Sequence, residues 1–135
     1  MARILVVDDQ KANIQLLQLI LREAGHTVHA ANNGVGALAQ LETEPCDLLI
    51  TDMFMPIMDG IELMTRCREL YPDLPMVAIS GGDWAGHTGR LDEADFRLAD
   101  ADFMATVETV HKPFDVDKLC AIVERALKQA AADQS

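Results

Sequence analysis

Basic residues are scarce in this chain: 11 lysines and arginines stand against 22 acids, for a formal net charge of −11. Nucleic acid and anionic membranes both demand a basic surface, so this balance argues against direct binding to either. A divalent cation or a basic partner suits it better. Cysteine is sparse as well. Cys46, Cys67 and Cys120 share no metal-ligand spacing and are odd in number, which points to a reduced, cytoplasmic setting. Long hydrophobic runs are missing. Ile4 to Val7 is too short for a signal peptide and acid follows it at once, and no stretch approaches a membrane span. No internal repeat or low-complexity linker divides the chain. With 135 residues, half of them hydrophobic, a single domain over 1–135 is expected, ordered from about residue 3 to 128.

What is present alternates. Arg3 to Val7 is a β-branched apolar run that reads as a buried strand and ends on Asp8 and Asp9. Ile14, Leu17, Leu21 and Ala24, with Leu16 and Ile20 beside them, follow helical spacing, and Gly25 stops that helix. Thr27–Ala31 is a second strand. Asn33-Gly34 turns into a second helix through Leu38 and Leu41, which ends before Pro45. Residues 47–51 form a third strand feeding Asp52. After Pro56 and Asp59-Gly60 a third helix reaches about Leu70.

Residues 75–80 make a fourth strand ending on Ser80. A Gly-rich stretch follows, holding Trp84 and an extended loop at 83–92, then an acidic helical segment at about 91–105. The fifth strand is expected over 106–111 and leads into Lys112. Asp115 caps a last helix whose apolar stripe is Leu119, Ile122, Val123, Ala126 and Leu127, with a frayed tail at 130–135. Strand and helix thus alternate five times. The pattern argues an α/β fold, doubly wound, with a parallel sheet and helices on both faces.

In a parallel sheet all strand ends share an edge, so Asp8-Asp9, Asp52, Ser80 and Lys112 converge. Clustered carboxylates favour a hard cation, and oxygen ligands suit Mg²⁺. Asp52 is a candidate nucleophile toward phosphorus. Lys112 can balance phosphoryl charge and Ser80 can donate a hydrogen bond to a phosphoryl oxygen. Together they describe phosphoryl transfer by positioning and charge neutralisation.

These residues carry a resemblance. Ile-Leu-Val-Val-Asp8-Asp9, Asp52-Met-Phe-Met-Pro56 with Met58-Asp59-Gly60, Ala78-Ile-Ser80 and Lys112-Pro113-Phe114 are similar, in order and spacing, to the receiver domain of bacterial two-component response regulators. The resemblance covers Arg3 to about Lys128. It implies a flavodoxin-like (βα)5 fold with a five-stranded sheet of order 2-1-3-4-5. It also implies that Asp52 is phosphorylated, that Asp9, Asp52 and the Phe54 carbonyl hold Mg²⁺ with help from Asp8, and that Ser80 and Lys112 contact the phosphoryl group. The implied donor is a histidine kinase or histidine phosphotransfer protein. A downstream protein is expected on the face of the fourth helix, fifth strand and fifth helix. Such a module signals and is not an enzyme beyond its own phosphoryl transfer and dephosphorylation.

Some positions depart from the family. Thr109 stands where an aromatic switch is usual, so Ser80 and Thr109 are the expected switch positions. Phe54 is bulky beside the acceptor, and the Ser80-to-Lys112 interval is longer than usual. His26, His29, His87 and His111 match no role in that family and read as structural. Other readings stay open: a receiver unit cut from a larger regulator or hybrid kinase, a Mg²⁺-dependent aspartyl phosphohydrolase, or an unphosphorylated binding module. Against the phosphohydrolase, Asp8-Asp9-Gln10 lacks a DxD motif after the first strand.

Overall fold

The computed structural model describes residues 2–53, 58, 60–80, 108–111 and 115–134, without the side chains of 80, 108, 109, 111 and 131–134. Its elements in order are β1 (Arg3–Val7), α1 (Lys11–Glu23), β2 (Thr27–Ala31), α2 (Gly34–Thr43), β3 (Leu48–Asp52), α3 (Gly60–Leu70), β4 (Met76–Ser80), β5 (Glu108–His111) and α4 (Val116–Gln134). Every strand pairing is parallel and the sheet order is β2-β1-β3-β4-β5. The doubly wound α/β arrangement is therefore present. The extended loop at 83–92 and the helix expected at 91–105 lie outside the described residues.

Strand side chains alternate between two faces, and both faces are covered, which is why the strands read as continuous apolar runs. On one face Leu5, Val7 and Leu49 pack with Ala37 and Leu41 of α2 and Leu63 and Met64 of α3. On the other, Ile4, Val6 and Ile50 pack with Leu17 and Leu21 of α1 and Leu119 and Val123 of α4.

Local signals set the helix ends. Gly25 takes φ 98°, a left-handed value open to glycine at low steric cost. There the Gly25 N–H donates to Arg22 O at 3.0 Å and the His26 N–H to Leu21 O at 3.1 Å, which closes α1 in a Schellman motif. The Asn33 side chain accepts the Gly36 N–H at 2.7 Å and starts α2. Asp115 Oδ1 accepts the Asp117 N–H at 2.8 Å and starts α4.

One expectation needs correction. Leu16 does not join the buried stripe of α1 but is 45% exposed beside Leu19, because the helix turns Leu17, Ile20 and Leu21 onto the sheet. Helix α4 runs on to Gln134 through three consecutive alanines, and alanine has the strongest intrinsic helix preference.

Candidate functional site

Three carboxylates meet where the strand order reverses. Strands β2 and β1 lead away on one side of the crevice, and β3, β4 and β5 on the other. Register pairs Val7 with Thr51, so the residues just past them, Asp8-Asp9 and Asp52, emerge side by side at the carboxyl edge. One carboxylate oxygen from each lies within 4.8 Å of the other two. Asp8 is fully buried, Asp52 is nearly so at 5% exposure, and Asp9 faces solvent. A crevice outside the strand ends at such a switch point is where open α/β sheets hold ligands.

Backbone contacts hold this cluster in place. The Asp8 N–H donates to Ala31 O at 3.2 Å, extending the β1–β2 ladder by a residue. Asp8 Oδ1 accepts the Gln10 N–H at 2.8 Å, which fixes that carboxylate across the turn into α1. Beyond Asp52, the Met53 N–H reaches Ile79 O at 3.0 Å, and the buried Thr51 hydroxyl donates to Asp52 O at 3.0 Å. Helix α3 begins against this strand end. The Gly60 N–H donates to Met53 O at 3.2 Å, and a Cβ at Gly60 would collide with Asp52 O and come within 2.8 Å of Met53 Cα.

Like charges at this spacing repel strongly when all are ionised, and a divalent cation offsets that repulsion. The donor set fits Mg²⁺. It offers hard carboxylate oxygens with one exposed side, and Mg²⁺ prefers few carboxylates and several retained waters. Register also brings the backbone of Ser80 to this edge, one position past Ile79, the partner of Asp52. Ser80 in turn pairs with His111, immediately before Lys112. Lys112 and Phe54 lie outside the described residues, and Thr109 is placed only by its backbone, opposite Ala78.

Response regulator receiver domains match residues 4–124 of this sequence. The chain belongs to that family. It is a receiver domain of two-component signalling, as its motifs imply. Response regulator receiver protein CpdR of Brucella abortus is 35% identical over 127 residues, spanning 94% of this chain and 98% of that protein. Transcriptional regulatory protein ZraR of Klebsiella oxytoca is 33% identical over 135 residues, 98% of this chain but 28% of that regulator. The receiver thus spans nearly all of one relative and about a quarter of the other. Among solved structures, response regulator TrrA of Thermotoga maritima, in complex with Mg(2+)-BeF, superposes with a TM-score of 0.73 at 30% identity. That match covers 93% of this chain and 99% of that one.

Gly60 and Gln10 have site roles that the sequence pattern did not assign. The Asp59-Gly60 pair signals a turn, but the close approach of Gly60 to the Asp52 backbone is tertiary. Nothing in the residue order marks the Gln10 N–H as the group that holds Asp8. No helix among the described residues is long and apolar enough to cross a membrane.

Proposed function

We propose that Asp52 accepts a phosphoryl group from a phosphohistidine on a histidine kinase or histidine phosphotransfer protein, and that this modification switches contacts with a downstream protein. The observation that carries the reading is the convergence of Asp8, Asp9 and Asp52 within 4.8 Å at the sheet's switch point. A carboxylate oxygen of Asp52 attacks phosphorus, the phosphorus–nitrogen bond breaks, and its electron pair leaves with the histidine ring. Burial excludes most water from Asp52, which protects the acyl phosphate. Asp9 and Asp52, with the Phe54 carbonyl and help from Asp8, would hold Mg²⁺, which supplies charge neutralisation for the phosphoryl oxygens. Response regulator TrrA, solved in complex with Mg(2+)-BeF, supports this pairing of metal and phosphoryl mimic by family likeness.

Ser80 and Lys112 are assigned to the phosphoryl oxygens, one as hydroxyl donor and one as compact cation. Ser80 and Thr109 sit on neighbouring strands and are taken as the switch positions. The full architecture is then (βα)5 in one domain of order 2-1-3-4-5. The face formed by the helix expected at 91–105, β5 and α4 meets the target in the cytoplasm. The protein signals and turns over no external substrate beyond its phosphodonor.

A second reading, a receiver unit from a larger regulator, is favoured by relatives such as ZraR, whose length is mostly outside the match. Both readings share the site. Incubation with acetyl phosphate and Mg²⁺, followed by intact mass measurement, should add one phosphoryl group to the wild type and none to Asp52→Asn. Full labelling of that variant places the acceptor elsewhere.

A further inference from the structure

A second concavity lies at the opposite edge of the sheet from Asp52. It encloses about 300 Å³ between the end of α2, the start of β3 and the turn from α3 into β4. Leu41, Cys46, Tyr71 and Leu74 form its walls, and three prolines stiffen the loops around it. Hydrogen bonds fix those loops: the Asp47 N–H donates to Arg3 O at 2.7 Å, the Leu49 N–H to Pro75 O at 3.0 Å, and the Leu74 N–H to Tyr71 O at 3.0 Å. The pocket is therefore preformed, which lowers the cost of ordering on binding. Its volume sits at the small end of ligand-sized cavities, about 300–1,000 Å³.

Charge at the rim has one sign. Asp47 and Asp73 are its charged lining residues, and among the described residues no lysine, arginine or histidine lines it. Asp47 is anchored, since its Oδ2 accepts the Arg3 N–H at 2.9 Å. Burial pushes the Cys46 thiol up to about 11 and also raises the Tyr71 hydroxyl, so both walls are neutral at physiological pH. A lining that combines apolar side chains, an aromatic ring and two carboxylates complements a cation on an apolar body. An anion meets like charge there, and a neutral apolar molecule gains nothing from the exposed carboxylates.

We propose that this pocket binds a small organic ammonium ligand, its apolar part against Leu41, Cys46 and Leu74 and its charge between Asp47 and Asp73. The site is separate from the acidic cluster, at the far end of β3. The test is amide NMR on the whole chain with saturating Mg²⁺, titrated in turn with 2-phenylethylammonium, 2-phenylethanol and phenylacetate. The ammonium should shift the amides of Cys46, Asp47, Tyr71 and Leu74 saturably, the alcohol should bind about fivefold more weakly, and phenylacetate should not bind. Asp73 is exposed, so Asp73→Asn should leave the fold intact and weaken the ammonium by about fivefold. Equal binding of alcohol and ammonium, undiminished binding to Asp73→Asn, or shifts confined to residues outside the pocket overturns the proposal.

Discussion

His26 and Glu124 are 98 positions apart in sequence, yet His26 Nε2 lies 3.1 Å from Glu124 Oε1. The other ring nitrogen, Nδ1, accepts the Ala2 N–H at 3.2 Å. A backbone N–H can only donate, so Nδ1 is the acceptor and Nε2 carries the proton toward the carboxylate. One imidazole therefore ties the entry to β1, the end of α1 and helix α4 together. The expectation of a structural histidine holds at this position.

Removing that ring orphans a backbone donor beside a side chain only 6% exposed. His26→Ala should lower unfolding free energy by about 1–3 kcal/mol. Glu124 is half exposed, so Glu124→Gln should cost under about 1 kcal/mol. Urea denaturation of both variants checks the ranking, and equal losses would contradict it.

Millimolar Mg²⁺ should stabilise the wild type, because it binds the folded cluster and not the unfolded chain. At ten times its dissociation constant the gain is about 1.4 kcal/mol. Asp9 is the exposed member, so Asp9→Ala removes a ligand without opening a cavity. In this variant the Mg²⁺-dependent rise in melting temperature should shrink, while the metal-free protein should be as stable as wild type or more so. A wild type indifferent to Mg²⁺ would sink the metal reading of this edge.

Alkaline pH should weaken the fold through its buried thiols. Burial pushes Cys67 up to about 12 and Cys46 up to about 11, from an ordinary 9.0. Between those values the unfolded chain has lost thiol protons that the folded chain keeps. Stability from these groups is full below about pH 9 and falls as pH rises toward the folded values. Urea midpoints at about pH 8 and pH 10 should therefore diverge more for wild type than for Cys67→Ala, which lacks the main titrating thiol. Parallel slopes in the two proteins would show that Cys67 contributes nothing to the alkaline loss.

Much of this was legible because the relevant signals are local. Ile4 to Val7 announces a strand covered on both faces, Gly25 and Asn33 announce helix ends, and each catalytic candidate lies at or just past the end of a strand. Carboxyl ends of parallel strands share an edge whatever the details of packing, so Asp8, Asp9 and Asp52 could be brought together from residue order alone. Leu16 falls outside the buried stripe because a helix with leucine or isoleucine at 14, 16, 17, 19, 20 and 21 has more apolar positions than one face can bury. Periodicity alone does not choose among them. The rim of Asp47 and Asp73 and the contact of Gly60 with Asp52 were invisible for another reason. They join segments whose approach is decided only when helices settle on the sheet.

Gly60 yields the sharpest prediction about function. Its added Cβ would meet backbone, the Asp52 carbonyl oxygen and Met53 Cα, and backbone in a central strand has nowhere to go. At Gly34 the corresponding Cβ would approach Met58 Sδ at 2.7 Å, Cγ at 2.8 Å and Cβ at 3.0 Å, all atoms of one adaptable side chain rather than backbone. The two glycines therefore differ in what yields. Gly60→Ala should cost about 1–3 kcal/mol by overpacking, and Gly34→Ala distinctly less. Because the yielding group at Gly60 is the backbone of Asp52, the proposed acceptor, the chemistry should suffer as well. Phosphorylation by acetyl phosphate, measured where both variants are fully folded, should slow about 10- to 100-fold in Gly60→Ala. In Gly34→Ala it should stay near the wild-type rate. Mg²⁺ binding to Gly60→Ala, followed by the rise in melting temperature, should weaken in parallel, since Asp52 also belongs to the acidic cluster. A Gly60→Ala protein that is destabilised yet phosphorylated at the normal rate would leave Gly60 as packing alone, with no part in positioning Asp52.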